Sequence, residues 1–179
     1  MEALIIVDVQ NDFCPGGALP APEGDKVVPV INKIMDRFPL VLASRDWHPE
    51  DSVHFENWPE HCIRDTRGAE FHPDLDTGKI DVQLFKGTGN RDDGYSAFEA
   101  TNKDLKELLK EKGVTKIYVS GLTTEYCVKS TATDSVQNGF ETFLVTDAVE
   151  GVKQNPGDVE KALREMEKAG VTMINSKQI

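Results

Sequence analysis

Six short runs of branched and apolar residues recur along the chain, at 3–9, 40–44, 81–85, 116–120, 142–145 and 171–174, with helical patterns between them. This alternation restricts the fold more than any other feature. Strand alternating with helix implies a mostly parallel sheet, because each helix carries the chain back across one face before the next strand is laid down. Several runs are apolar at consecutive positions, as in Ala3-Leu4-Ile5-Ile6-Val7, which is the pattern of strands covered on both faces. We expect a three-layer α/β/α arrangement around six strands.

The helical segments show their own period. Val27, Val30, Ile31 and Ile34 repeat at three and four residues, as do Leu105, Leu108 and Leu109. Pro29 falls in the first turns, where a missing N–H costs little. Gly113, Gly139 and Gly170 each stand between a helical segment and a strand, the usual place for a left-handed C-terminal cap. A length of 179 residues suits a single domain, 1–179, with a core large enough to need no disulfide or structural metal.

Charge and cysteine content narrow the function. A net charge of −11 would repel a phosphate backbone, so nucleic acid is not an expected partner. No run approaches the length of a membrane span, and MEALIIVDVQ lacks the basic start and cleavage site of a signal peptide, so it reads as a first strand. Three widely spaced cysteines without a CxxC pair suggest neither a disulfide framework nor a thiolate zinc cage, and a reducing cytoplasm fits them best.

Ligands of an open parallel sheet bind beyond the carboxyl ends of its strands. Four of the six strand ends carry reactive side chains: Asp8, Asp46, Lys86 and, in the first turn of the following helix, Cys127. Each alone has an ordinary structural explanation, such as a small buried thiol or a solvated amine. Together they form a chemical set. A helix start favours thiolate, a carboxylate can take and return the thiol proton, and a lysine offsets adjacent negative charge. Backbone N–H groups around Thr123 and Cys127 can hold an oxyanion.

One long interruption, 46–79, is too polar and too rich in Pro, His and Asp to be core, and a loop of that length is usually functional. It holds all four histidines, His48, His54, His61 and His72. Asp46 and His48 flank one residue in an extended segment and can face the same side, and His61 can fold back to join them. Two imidazoles and a carboxylate suit one divalent metal ion, zinc first, with iron and manganese as alternatives.

The segments VDVQNDFCPGGAL at 7–19, RDWHP at 45–49, WPEHC at 58–62, FKGT at 85–88, DGYSAF at 93–98 and GLTTEYCV at 121–128 occur in this order over nearly the whole chain. Together they resemble the nicotinamidase/pyrazinamidase branch of the isochorismatase-like cysteine hydrolases. The resemblance implies a Rossmann-like sheet, a catalytic triad on Asp8, Lys86 and Cys127, and a metal on Asp46, His48 and His61. It further implies that the pyridine nitrogen of nicotinamide meets the metal while its carboxamide reaches the cysteine. Phe13 and Trp58 match positions that pack on the ring, and Leu19, Tyr95 and Tyr126 match positions that line the pocket.

The chain departs from that pattern in two places. Thr123 stands where relatives commonly carry alanine, and Ser52 stands where many carry a further histidine, with His54 two residues on. On this reading His72 stays outside the ligand set, His54 is not in its core and its contribution is left open, and Cys14 and Cys62 are packing residues. The expected activity is hydrolysis of nicotinamide, and of pyrazinamide, through a cysteine thioester. Two rivals remain: a related cysteine amidohydrolase acting on another small amide, and a non-enzymatic metal- or redox-sensing domain. The sequence leaves homo-oligomer formation open.

Overall fold

The strands are β1 (Glu2–Val7), β2 (Val41–Asp46), β3 (Val82–Lys86), β4 (Lys116–Leu122), β5 (Glu141–Glu150) and β6 (Thr172–Ile174), in a computed structural model that describes all 179 residues. They form one sheet in the order β3-β2-β1-β4-β5-β6, and every neighbouring pair is parallel. Each apolar run falls on a strand. The helices are α1 (Val27–Met35), α2 (Leu105–Glu111), α3 (Lys129–Gln137) and α4 (Asp158–Ala169), and none is long and apolar enough to cross a membrane.

The consecutive apolar residues of β1 divide between two cores. Leu4 and Ile6 pack with Val27, Ile31 and Met35 of α1, whereas Ala3, Ile5 and Val7 pack with residues of α2, α3 and α4. The helices therefore cover both faces, which is why no polar alternation marks the central strands. Gly113, Gly139 and Gly170 all have positive φ, as helix-ending residues should.

The strand order reverses direction between β1 and β4, so the connections leaving these two strands diverge and open a crevice at their carboxyl ends. Gly121 makes the crevice narrow. Its φ is +109°, and a Cβ there would lie 2.1 Å from the carbonyl oxygen of Val7, so only glycine lets β4 run this close to the end of β1. The residues following each strand, Asp8 on one side and the Thr124–Val128 turn on the other, are thereby brought face to face.

Candidate active site

Asp8 leaves β1 with φ of +47°, a left-handed conformation that aspartate tolerates better than most residues. Its N–H donates to the carbonyl of Ser44 and its side chain accepts from Ser44 Oγ at 2.8 Å, so both backbone and carboxylate are tied to β2. The other carboxylate oxygen lies 2.7 Å from Lys86 Nζ. Lys86 is fully buried at the end of β3. It also donates to Asp46 and to the Gly94 carbonyl, and its Nζ stands 3.4 Å from Cys127 Sγ. One ammonium thus touches two carboxylates and a thiol, all out of water.

The charges of this cluster follow from its burial. Burial opposes the charged form of Lys86, but Asp46 and Asp8 outweigh it and hold the ammonium well above its ordinary pKa. Burial also works against the Asp46 carboxylate, yet the adjoining Lys86 ammonium keeps it well below the usual range. Asp8 goes the other way. Burial raises it, Lys86 pulls it down, Asp46 pushes it up, and it comes to rest at about 6. Burial pushes the Cys127 thiol well up, with Lys86 opposing and Asp8 and Asp46 assisting. The helix-start effect on Cys127 is therefore overridden: the resting group is a thiol facing a carboxylate poised near neutrality.

Cys127 lies in a π-type turn, Thr124–Val128, that leads into α3. The Thr123 carbonyl accepts from the N–H groups of Tyr126 and Val128, which curls the turn around Cys127. The two preceding side chains tie the turn to the segment after β5. Glu125 accepts from Lys153 N at 2.7 Å, and Tyr126 Oη donates to Gln154 at 2.9 Å.

Beside this cluster, two imidazoles approach Asp46 and a third packs against them. His48 Nδ1 is 3.0 Å from the Gly87 carbonyl and His61 Nδ1 is 2.6 Å from the Pro59 carbonyl. A carbonyl only accepts, so in both rings Nδ1 carries the hydrogen and Nε2 keeps its lone pair. Those lone pairs lie 3.5 and 3.7 Å from Asp46 Oδ2. His54 Nδ1 is held by Asp92 at 2.7 Å, which leaves its Nε2 free in the same way. His54 stacks on His48 with ring centroids 4.5 Å apart, and ligand atoms of His48, His54 and His61 all fall within 4.8 Å of one another.

His48 Nε2 is buried with no partner in the protein, an expensive state for a polar atom unless something binds it. Three imidazole lone pairs, a carboxylate and an anchored Nδ1–H on each ring form a donor set that fits a divalent metal ion.

Cys127 and the histidines open into one narrow pocket. Phe13, Leu19, Trp58, Tyr95, Tyr126 and Val152 supply its apolar and aromatic walls. Trp58 meets Tyr126 edge-on at 4.8 Å, so a flat ring entering the pocket would be bounded by aromatic surfaces.

An isochorismatase domain model matches residues 2–178. The chain belongs to the isochorismatase family. It is 38% identical to the nicotinamidase/pyrazinamidase of Mycobacterium tuberculosis, over 98% of this chain and 100% of that protein. It is 37% identical to the nicotinamidase of Escherichia coli, over 96% of this chain and 93% of that protein. A solved structure of the pyrazinamidase of Pyrococcus horikoshii in complex with zinc superposes with a TM-score of 0.88 at 45% identity, covering 97% of this chain and 98% of that one. Within the isochorismatase family, the chain therefore falls in the nicotinamidase/pyrazinamidase branch and is an amidohydrolase.

The structure brings together every site residue expected from the sequence. Asp8, Lys86 and Cys127 meet, Asp46, His48 and His61 meet, and Phe13, Leu19, Trp58, Tyr95 and Tyr126 line the pocket beside them. His54, whose part the sequence leaves open, stands in the imidazole cluster, because residues Val53–Glu56 form a 3-10 turn whose N-cap, Ser52, accepts from His54 N at 3.3 Å and turns the ring back over His48. His72 stays apart, with its Nδ1 accepting from Asp74 N. Cys14 and Cys62 are buried, unpaired packing residues.

Gln10 was not singled out by sequence. Its buried side-chain amide accepts from Asp46 N at 2.8 Å and donates to the carbonyls of Asp46 and Ala69, each at 2.9 Å, clamping the backbone of Asp46. The signal was a glutamine two residues after a strand-end aspartate, where the apolar run gives way to Asn11 and Asp12.

Proposed function

We propose that this amidohydrolase converts nicotinamide to nicotinate and ammonia through a cysteine thioester, and that pyrazinamide is a second substrate. The observation that carries the reading is the placement of a thiol–carboxylate–ammonium cluster and a three-imidazole cluster side by side, joined through Asp46, at one small aromatic pocket. Near-full-length similarity to nicotinamidases supports the same substrate.

In this mechanism Asp8 takes the proton of Cys127 as Sγ bonds to the carboxamide carbon, so charge moves between the two groups instead of being created in the pocket. The N–H groups of Thr123 and Cys127 hold the resulting oxyanion. Asp8 passes its proton to the carboxamide nitrogen as the C–N bond breaks, and ammonia leaves a thioester. Water then attacks the thioester carbon, gives a proton to Asp8, and the departing sulfur recovers that proton. Lys86 stays charged throughout, fixing Asp8 and offsetting its negative neighbour Asp46. Phe13, Trp58 and Tyr126 bound the ring, with Leu19 and Tyr95 completing the walls. A divalent cation, which we take to be zinc, would be held by Asp46, His48, His54 and His61 and would supply a Lewis-acid contact for the ring nitrogen.

Two features speak against a redox-sensing domain. Such sensors use exposed, low-pKa thiols, whereas Cys127 is buried with its thiol pushed up. The three free cysteines fit a reducing compartment, and we place the protein in the cytoplasm.

The test is ammonia release from nicotinamide by the purified protein, before and after chelation and with zinc, iron or manganese restored. Activity should fall with chelator and return with metal, and Cys127→Ala should abolish it while leaving the fold and metal content intact. A folded, metal-loaded protein that releases no ammonia from nicotinamide would refute the assignment.

A further inference from the structure

His48, His61 and His54 differ in what holds them. The first two have Nδ1 fixed by backbone carbonyls, of Gly87 and Pro59. These acceptors are neutral and are set by the course of the chain. His54 alone is held by a side chain, the carboxylate of Asp92 at 2.7 Å. Asp92 lies in the loop that follows β3, on the rim of the pocket, and its side chain is 40% exposed.

The same carboxylate has further work. Its Oδ1 also accepts from Tyr95 Oη at 3.0 Å, and its Oδ2 accepts from Asn57 Nδ2 at 3.0 Å. Tyr95 Oη in turn accepts from the indole N–H of Trp58 at 3.0 Å. A continuous chain of donors therefore runs from Trp58 through Tyr95 to Asp92, where it meets His54. His54 closes the loop by lying roughly parallel to Trp58, with ring centroids 6.1 Å apart, and its carbonyl accepts from Trp58 N at 3.2 Å.

We propose that Asp92 is a positioning residue that serves both halves of the pocket: it fixes the Nδ1–H tautomer of His54, so that Nε2 faces the metal, and through Tyr95 it sets the angle of the Trp58 wall. The inference rests on the metal and ring sites proposed above. Two physical arguments carry it. A carboxylate behind an imidazole orients the ring and makes the far nitrogen a better donor than a carbonyl does. A tyrosine hydroxyl that accepts from one neighbour directs its own hydrogen toward another acceptor, and Asp92 Oδ1 is that acceptor here. Because Asp92 is half open to solvent, replacing it removes a director of the site without emptying a core position.

The experiment compares wild type with Asp92→Ala, Asp92→Asn and Tyr95→Phe. Full-length zinc-loaded protein is titrated against a chelator of known affinity, and imidazole tautomers are read in the metal-free protein by long-range proton–nitrogen NMR. Asp92→Ala should weaken zinc binding by about 10- to 100-fold, the usual consequence of removing such a partner, and the His54 signal should lose its Nδ1–H tautomer while those of His48 and His61 keep theirs. Asp92→Asn keeps an acceptor oxygen but not the charge, and should weaken zinc by less than Asp92→Ala. Tyr95→Phe should leave zinc affinity unchanged and raise KM for nicotinamide, since it breaks only the link to Trp58.

Wild-type zinc affinity and an unchanged His54 tautomer in Asp92→Ala would overturn the proposal. So would an equal loss of zinc affinity and melting temperature in the Ala and Asn variants, which would mark a residue that merely holds the fold. The zinc titration uses no substrate, so a protein that binds zinc as described but leaves nicotinamide intact would defeat the functional assignment and not this one.

Discussion

Replacing Lys86 by methionine tests the electrostatic account of the site most directly. Methionine has nearly the length of lysine and fills the same space, so the substitution removes the charge and little else. In the wild-type chain Asp8 titrates at about 6 instead of 3.8. A carboxyl whose folded value is raised binds its proton more tightly in the folded chain. Its contribution to stability is thus fully present below about pH 4 and is lost as pH rises through about 6. At about 1.4 kcal/mol per unit, holding Asp8 charged at pH 7.5 already costs about 3 kcal/mol with Lys86 in place.

Without the ammonium, Asp8 and Asp46 become two buried carboxylates with no cation between them. Breaking a buried pair in this way costs about 3–5 kcal/mol. With a urea slope of about 2 kcal/mol per molar, the midpoint of metal-free Lys86→Met should fall by about 2 M at pH 7.5. At pH 5 Asp8 is protonated in both proteins, and removal of Lys86 raises the value of Asp46, so the gap between variant and wild type should narrow to half or less. Urea unfolding followed by circular dichroism at both pH values measures this. An equal gap at pH 5 and pH 7.5 would refute the reasoning and show that Lys86 acts through packing alone.

Three further outcomes follow from the same geometry. Because Asp8 must be ionised to accept the Cys127 proton, kcat/KM for nicotinamide should fall about tenfold per unit as pH drops below about 6, and a rate profile flat to pH 4.5 would remove Asp8 as the base. His54→Ala should release zinc to chelator at least about tenfold more readily than wild type, while His72→Ala should behave as wild type in the same titration. Gly121→Ala puts a methyl group against the Val7 carbonyl and an alanine at positive φ, so it should lower stability by about 3 kcal/mol or more in thermal unfolding and abolish turnover in whatever fraction stays folded.

The strands were legible because each central one is buried on both sides and so prints an unbroken apolar run. β5 shows the limit. Its first residues, Thr142–Val145, read as a strand, but it continues to Glu150 through the exposed Thr146 and Asp147, and a register shift against β4 precedes that continuation. Asp8, Asp46, Lys86 and Cys127 were legible because a parallel sheet delivers strand ends to one edge whatever the loops do. His54 was not, because its direction is set by a short 3-10 turn in an irregular segment that has no period to read. Gln10 and Asp92 act by hydrogen bonds to groups distant in sequence, and such partners leave no local pattern. The rise in the thiol's pKa was not legible for a related reason: the helix start is visible in sequence, and the depth of burial that overrides it is not.

The pairing of β1 with β4 has a consequence for how the chain reaches this state. Glu2 lies opposite Lys116, so joining the two central strands closes a long loop that carries β2, β3 and their connections. Contacts so far apart along the chain form slowly and late. Asp8 and Cys127 sit at the far ends of this pair, and until it closes the thiol has neither its base nor its pocket. A newly made or partly opened molecule therefore carries the thiol without the carboxylate and pocket that the completed central sheet sets around it.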